Sequence, residues 1–220
     1  MKTIKVKICG ITNEKDLEMV CSLGADAVGF VVGVPNSPRN LPLEKAKELF
    51  RRVPIFVKRV LVVVPQSLGD LLKLYENLKP DVIQIHGESI SETTTLKEKL
   101  PDTVLVRSVS VKSEWVVQKA VEAANFFDAV HVDSWMAEKY GGTGLTHDWG
   151  VSRRIREAIH PKPLILAGGL NAENVKEAVE TVKPYAVDVC TGVEAKPGMK
   201  DPAKVEAFIK NAKQALLRCA

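Results

Sequence analysis

Two periodicities alternate along the chain. Short apolar runs rich in β-branched residues cover Ile4 to Cys9, Ala27 to Val32, Phe56 to Val63 and Val82 to His86. Four more cover Thr103 to Val109, Asp128 to Asp133, Pro163 to Ala167 and Ala186 to Cys190. Each reads as a strand, and each is followed by a stretch with apolar residues at helical spacing. Leu17, Val20, Cys21 and Ala25 share one face of the first helical stretch, Leu43, Ala46, Leu49 and Phe50 one face of the second, and Val205, Phe208, Ile209 and Ala212 one face of the last. Helix starts carry capping signals: Thr12 or Asn13 for the first, Asn171 for the seventh, and Asp201-Pro202 for the last. Strands such as VLVVV are apolar on both faces, as in a parallel sheet covered by helices on each side. Strict β-then-α alternation leaves two architectures, an open doubly wound sheet or a closed barrel. Eight strands of equal status, with no linker or shift in composition, favour a single-domain (β/α)8 TIM barrel over residues 1–220, its eight parallel strands forming a closed sheet.

Composition narrows the class further. Hydrophobic residues at 45% and charged residues at 26% exclude a disordered chain, a collagen or a small disulfide scaffold. Lys plus Arg number 31 against 27 Asp plus Glu, a net charge of +4, and the two signs are interspersed. A basic stripe for nucleic acid is therefore not expected, whereas a small anionic substrate fits the balance. The start, MKTIKVKIC, lacks the apolar core of a signal peptide, and no run is long enough to span a membrane, so a cytoplasmic protein is expected. Cys9, Cys21, Cys190 and Cys219 then read as reduced thiols, and no Cys/His spacing suggests a metal site.

In such a barrel the chemistry belongs at the C-terminal ends of the strands. Glycine turns stand at the ends of strands seven and eight, Gly168-Gly169 in LAGGLN and Thr191-Gly192 in VCTGVE. Bare backbone N–H groups at these two positions are suited to a phosphate. A long glycine-rich stretch, YGGTG with Gly142 and Thr143, follows strand six as a candidate lid. Cys9 closes strand one and is the candidate nucleophile or base, while Cys21 reads as core. Asp133 closes strand six, where a carboxylate is costly to bury unpaired. His86 closes strand four, as a ligand contact or a satisfied structural histidine. Arg39 follows strand two, as a carboxylate receptor or a solvated surface residue.

These segments also carry a resemblance. KICGIT at 7–12, GADAVGFVV at 24–32, IQIHG at 83–87, YGGTG at 140–144, DW at 148–149, LAGGLNAENV at 166–175 and VDVCTGVEAKPGMKD at 187–201 resemble the phosphoribosylanthranilate isomerases of tryptophan biosynthesis, in order and from the first strand to the last helix. The resemblance implies an Amadori rearrangement of N-(5-phosphoribosyl)anthranilate to 1-(2-carboxyphenylamino)-1-deoxyribulose 5-phosphate. It implies Cys9 as general base and Asp133 as general acid, and no cofactor or metal, because the iminium nitrogen formed on ring opening is itself the electron sink. It places Arg39 on the anthranilate carboxylate and Asp188 near the substrate. Gly142, Thr143, Gly168, Gly169, Thr191 and Gly192 carry phosphate and ring contacts on the same basis; His86 stays a candidate substrate contact from its strand-end position alone. The expected partner is thus a small phosphorylated molecule, bound by a monomer or a homodimer, with no nucleic acid and no membrane involved. One position departs: where the family commonly has two small hydroxyl residues, this chain has Cys190 and Thr191. The rival phosphosugar barrels fit less well. Indole-glycerol-phosphate synthase needs lysines at strand ends, the histidine-pathway isomerase an Asp at the place of Cys9, and a metal-dependent pentose-phosphate epimerase His and Asp ligands of which only His86 is offered. A non-catalytic phosphate-binding barrel would have no use for the Cys9 and Asp133 pair.

Overall fold

All eight apolar runs become strands: β1 (Lys5–Ile8), β2 (Ala27–Val32), β3 (Lys58–Val63), β4 (Val82–Ile85), β5 (Val104–Val111), β6 (Ala129–Ser134), β7 (Leu164–Leu166) and β8 (Ala186–Val189). The structure, a computed structural model, describes residues 4–87, 93–111, 115–134 and 147–215. Consecutive strands pair in parallel, and β1 pairs with both β2 and β8, which closes the sheet into a barrel. Helices follow the strands in turn: α1 (Glu14–Ser22), α2 (Leu43–Arg52), α3 (Leu68–Leu78), α4 (Thr93–Lys99), α5 (Val116–Phe126), α6 (Trp149–Ile159), α7 (Val175–Val182) and α8 (Pro202–Ala215).

The capping residues act as local chemistry requires. Asn13 accepts the Asp16 N–H at the start of α1, and Asp148 accepts that of Gly150 at the start of α6. Asp201 accepts from Lys204 N in the first turn of α8. Asn171 instead caps the turn ahead of α7, taking the N–H groups of Glu173 and Asn174, so the helix proper begins at Val175. The third strand starts at Lys58 rather than Phe56, because Pro54 opens a turn closed by Val57 N on Pro54 O and leaves Ile55 and Phe56 facing solvent. Among the described residues three short strands add to the eight. Asn40–Leu41 pairs in parallel alongside the end of β2, and Glu194–Lys196 pairs with Met199–Lys200 as a hairpin after β8.

Strand alternation sorts the side chains into two sets. Val6, Ile8, Phe30, Leu61, Ile83, Val130 and Val187 point outward and pack with Leu17, Leu49, Phe50, Leu71 and Phe208 of the helices. Inside the barrel the lining is divided. Val31, Val60 and Val62 of β2 and β3 form a small apolar cluster against Cys9. The rest of the lining carries polar groups, with Gln84 on β4, His131 on β6 and Asp188 on β8 all buried. The β2–β3 part of the cavity mouth is thus suited to an apolar ring, and the remainder to groups that exchange protons and hydrogen bonds.

Candidate active site

Lys7 on β1 and Cys9 directly after it, two residues apart, both turn into the barrel. Gly29 on the neighbouring β2 makes room for them: a Cβ there would lie 2.8 Å from Cys9 Sγ and 3.1 Å from Lys7 Cε. Glycine inside a strand commonly marks such an approach, and this was the sequence signal for the crowding around Cys9. Lys7 is 5% exposed and donates to Asp188 Oδ2 at 2.7 Å. His131 Nε2 lies 3.0 Å from the same oxygen, and its Nδ1 lies 3.2 Å from Ser108 Oγ. Burial alone would raise the Asp188 carboxyl, but Lys7 and the bond to His131 outweigh it, so Asp188 is held well below the usual carboxylate range. For Lys7 likewise, burial is outweighed by Asp188 and Cys9, and the ammonium is held above its ordinary value. A pair of formal charges therefore sits at the centre of the barrel. Asp188 Oδ1 is buried with no hydrogen-bond partner among the described residues.

Around this pair, the two acid–base candidates are displaced in opposite senses. Cys9 is 7% exposed. A hydrogen bond from Cys190 lowers its thiol, and Lys7 and Lys200 add to this against burial and Asp188. Burial raises the Asp133 carboxyl, and Asp188 adds to it, against His131, the Ser134 N–H and Lys7. Cys9 ends β1 and Asp133 lies near the end of β6, strands that do not pair with one another. The groups thus occupy different walls of one mouth, each within the field of Lys7 and Asp188.

His86 is half-buried. Gln84 Nε2 donates to its Nε2 at 2.9 Å, and its ring stands edge-on to His131 with centroids 5.7 Å apart. Burial, with His131 beside it, pushes its pKa down to about 3, so the ring is neutral and keeps an accepting nitrogen at neutral pH.

Arg39 is not a solvated surface residue. Only 6% exposed, it forks onto Glu194, with Nε 3.0 Å from Oε1 and Nη2 2.5 Å from Oε2, and Nη2 reaches Thr191 Oγ1 at 3.4 Å. Its loop is pinned by Asn40 Oδ1 on Val34 N and by Ser37 N on Val34 O. Glu194 also accepts from Lys200 Nζ at 3.0 Å and from Gly198 N at 3.2 Å. Lys200 in turn reaches Cys190 O at 3.2 Å and Cys190 Sγ at 3.8 Å. Cys190 accordingly lies inside the barrel, packed on the cluster that holds Cys9.

The two glycine turns meet. Gly168 has φ +85°, and a Cβ there would lie 2.3 Å from both N and Oγ of Ser134. A Cβ at Gly192 would lie 2.0 Å from the Leu170 carbonyl oxygen. The β7 turn, the end of β6 and the 3-10 turn Thr191–Val193 are therefore packed backbone to backbone. Gly169 has φ +67°, and its carbonyl is held by Asn174 Nδ2 at 3.0 Å. Gly142 and Thr143 lie outside the described residues. Among the functional residues, sequence reading overlooked Lys7, Gln84, His131, Glu194 and Lys200. For Lys7, Gln84 and His131 the two-residue spacing to Cys9, His86 and Asp133 was the available signal.

Comparison with known proteins decides the family. The family described as N-(5'phosphoribosyl)anthranilate (PRA) isomerase matches residues 6–211, from β1 into α8. The chain belongs to the N-(5'-phosphoribosyl)anthranilate isomerase family. The N-(5'-phosphoribosyl)anthranilate isomerase of Methanothrix thermoacetophila is 44% identical over 210 residues, covering 95% of this chain and 98% of that protein. The crystal structure of phosphoribosyl anthranilate isomerase from Thermotoga maritima superposes with a TM-score of 0.85 at 37% identity, over 96% of this chain and 99% of that one. A further crystal structure of a phosphoribosyl anthranilate isomerase, in complex with reduced 1-(o-carboxyphenylamino)-1-deoxyribulose 5-phosphate, gives 0.81 at 34% identity, over 96% and 99% of the two chains. Family membership agrees with the closed eight-stranded barrel and with the resemblance carried by KICGIT, LAGGLN and VCTGVE.

Proposed function

We propose that Cys9 and Asp133 are the general base and general acid of the reaction that defines the family. The chain is an isomerase of tryptophan biosynthesis. It converts N-(5'-phosphoribosyl)anthranilate into 1-(2-carboxyphenylamino)-1-deoxyribulose 5-phosphate by an Amadori rearrangement. The observation that carries the assignment of roles is the arrangement about Lys7 and Asp188, with a thiol on one strand end and a half-buried carboxyl on another.

The steps follow from the sense in which the two groups are displaced. Asp133, its carboxyl raised by burial, acts as the acid: it donates a proton to the furanose ring oxygen as the C1–O bond breaks, and the anilino nitrogen lone pair forms the iminium. Cys9, as thiolate, removes the proton from C2, and the C2–H electrons move into a C1–C2 double bond as the iminium electrons return to nitrogen. The resulting enolamine tautomerises to the ketose. General acid–base steps work best when donor and acceptor values are drawn toward neutrality, the sense in which these two groups are displaced. Asp188 Oδ1, without a partner among the described residues, is an acceptor for a substrate N–H or O–H. His86, whose Nε2 accepts from Gln84, carries its ring proton on Nδ1 and offers it as a donor to substrate. The apolar cluster of Val31, Val60 and Val62 supports stacking of the aromatic ring on the β2–β3 side, where Arg39 enters the mouth to meet the carboxylate. The phosphate is assigned to Gly168-Gly169 and Thr191-Gly192, where backbone N–H groups serve as donors. Residues 1–220 are proposed to form one domain.

The test is turnover by Cys9→Ala and Asp133→Asn, with substrate generated in place from anthranilate and phosphoribosyl pyrophosphate. Each should lose about 10²- to 10⁴-fold in kcat, while binding of the reduced product analogue survives. Near-normal turnover in Cys9→Ala would overturn the base assignment.

A further inference from the structure

Cys190 directly follows β8, and its position in the fold gives it a task. β1 and β8 are in parallel register, Ile8 opposite Val189, and Cys9 N donates to Val189 O at 2.8 Å. The next residue on each strand is a cysteine, and both side chains enter the interior, where Cys190 packs on the cluster that includes Cys9. Cys190 has one proton to donate. Its other acceptor, Glu194 Oε1, lies 3.9 Å away and already takes Arg39 Nε at 3.0 Å, Gly198 N at 3.2 Å and Lys200 Nζ at 3.0 Å. A carboxylate oxygen so occupied is a poor target for a weak thiol donor. Cys9 Sγ remains as the acceptor.

We propose that Cys190 is a positioning residue for the base, its S–H donating to the Cys9 sulfur and holding the thiolate in place to remove the C2 proton. The proposal rests on Cys9 being the base. The donor never leaves Cys190: it stabilises the charge on Cys9 before proton abstraction, and that stabilisation weakens once Cys9 has taken up the C2 proton. The other groups facing Cys9 are Lys7 on its own strand, Asp188 on β8, Lys200 from the hairpin and Arg39 from the loop after β2. Lys7 and Lys200 favour the thiolate through charge and Asp188 opposes it. Among these, Cys190 is the neutral donor.

The experiment compares Cys190→Ala with Cys190→Ser. The ultraviolet absorbance of the Cys9 thiolate is titrated in each, as the difference from the same protein carrying Cys9→Ser, and kcat/KM is followed against pH. Loss of the donor in Cys190→Ala should move the Cys9 midpoint up by about 1 pH unit, the low end for a hydrogen bond to a charged acceptor because a thiol donates weakly. The acidic limb of kcat/KM should move with it. Cys190→Ser, which keeps a donor of similar size, should hold the midpoint below that of Cys190→Ala. An unmoved midpoint in Cys190→Ala, or the same rise in both variants, would overturn the proposal. Failure of the base assignment is separable, because the absorbance reads the thiolate whether or not Cys9 takes part in turnover. In that case the midpoint moves and the pH profile does not. Should Cys190→Ala not fold, Cys190→Ser still decides: a midpoint raised by about 1 pH unit despite a retained hydroxyl contradicts the donor role.

Discussion

Lys7→Met tests whether the centre of the barrel is a coupled ion pair. Lys7 Nζ and Asp188 Oδ2 are 2.7 Å apart, and each side chain is 6% exposed. On the barrel's other rim, Lys5 and Asp26 are 3.0 Å apart but 48% and 25% exposed. The distances are similar, so the difference in solvent decides the outcome. Breaking a buried pair by removing one partner costs about 3–5 kcal/mol, because the remaining charge is stranded. An exposed pair is worth about 0.2–1 kcal/mol. At roughly 2–4 °C per kcal/mol for a chain of this size, Lys7→Met should lower Tm by about 6–20 °C, and Lys5→Met by no more than about 4 °C. Lys7→Met/Asp188→Asn leaves no charge behind, so the double variant should recover much of the loss, with a coupling energy of about 2–3 kcal/mol in urea unfolding. Function follows the same electrostatics. Lys7 lowers the Cys9 thiol and Asp188 raises it, so Lys7→Met should shift the acidic limb of kcat/KM upward, and the double variant should shift it less. Additivity of the two substitutions to within about 0.5 kcal/mol would show that the charges do not interact as a buried pair, and would refute the reasoning.

The pH profile of kcat/KM should be a bell. As pH falls, Cys9 takes up a proton at a value below that of an ordinary thiol, and as pH rises, Asp133 loses its proton at a value above that of an ordinary carboxyl. Asp133→Asn should therefore abolish the alkaline limb while lowering the maximum, and a retained limb would assign it to another group. Gly192→Ala would force its Cβ against the Leu170 carbonyl at 2.0 Å. It should cost about 1–3 kcal/mol of stability and weaken competitive inhibition by inorganic phosphate, and an unchanged inhibition constant would move the phosphate elsewhere. Arg39→Ala should lower kcat/KM by roughly 10- to 150-fold, mainly through KM, for loss of a charge-assisted bond to the aromatic carboxylate. Against a substrate lacking that carboxylate, wild type and Arg39→Ala should perform alike. Equal losses on both substrates would make Arg39 a structural partner of Glu194 alone.

Periodicity determined the architecture before any coordinates were needed. Two-residue alternation and helical spacing are local consequences of how each element buries one face, so eight units and their order were legible from positions such as Leu17, Leu49, Ile83 and Phe208. The rule that barrels work at their strand ends then singled out Cys9, His86, Asp133 and the two glycine turns as candidates along the chain, and the family resemblance added Asp188. The partners of these groups were not legible. Lys7 and Asp188 are 181 residues apart, and Arg39 and Glu194 are 155 apart. Their meeting depends on the register between β1 and β8 and on where the hairpin after β8 folds back. A charged residue in a strand also reads locally as a solvent-facing position, which is why Lys7 was passed over although it shares a face with Cys9. Closure of the sheet reversed that reading, because joining β1 to β8 turns one face of every strand into an interior from which water is excluded. Inside it, Lys7 must find Asp188, Cys190 is brought against Cys9, and the acid–base character of the site comes from this shared, desolvated surrounding.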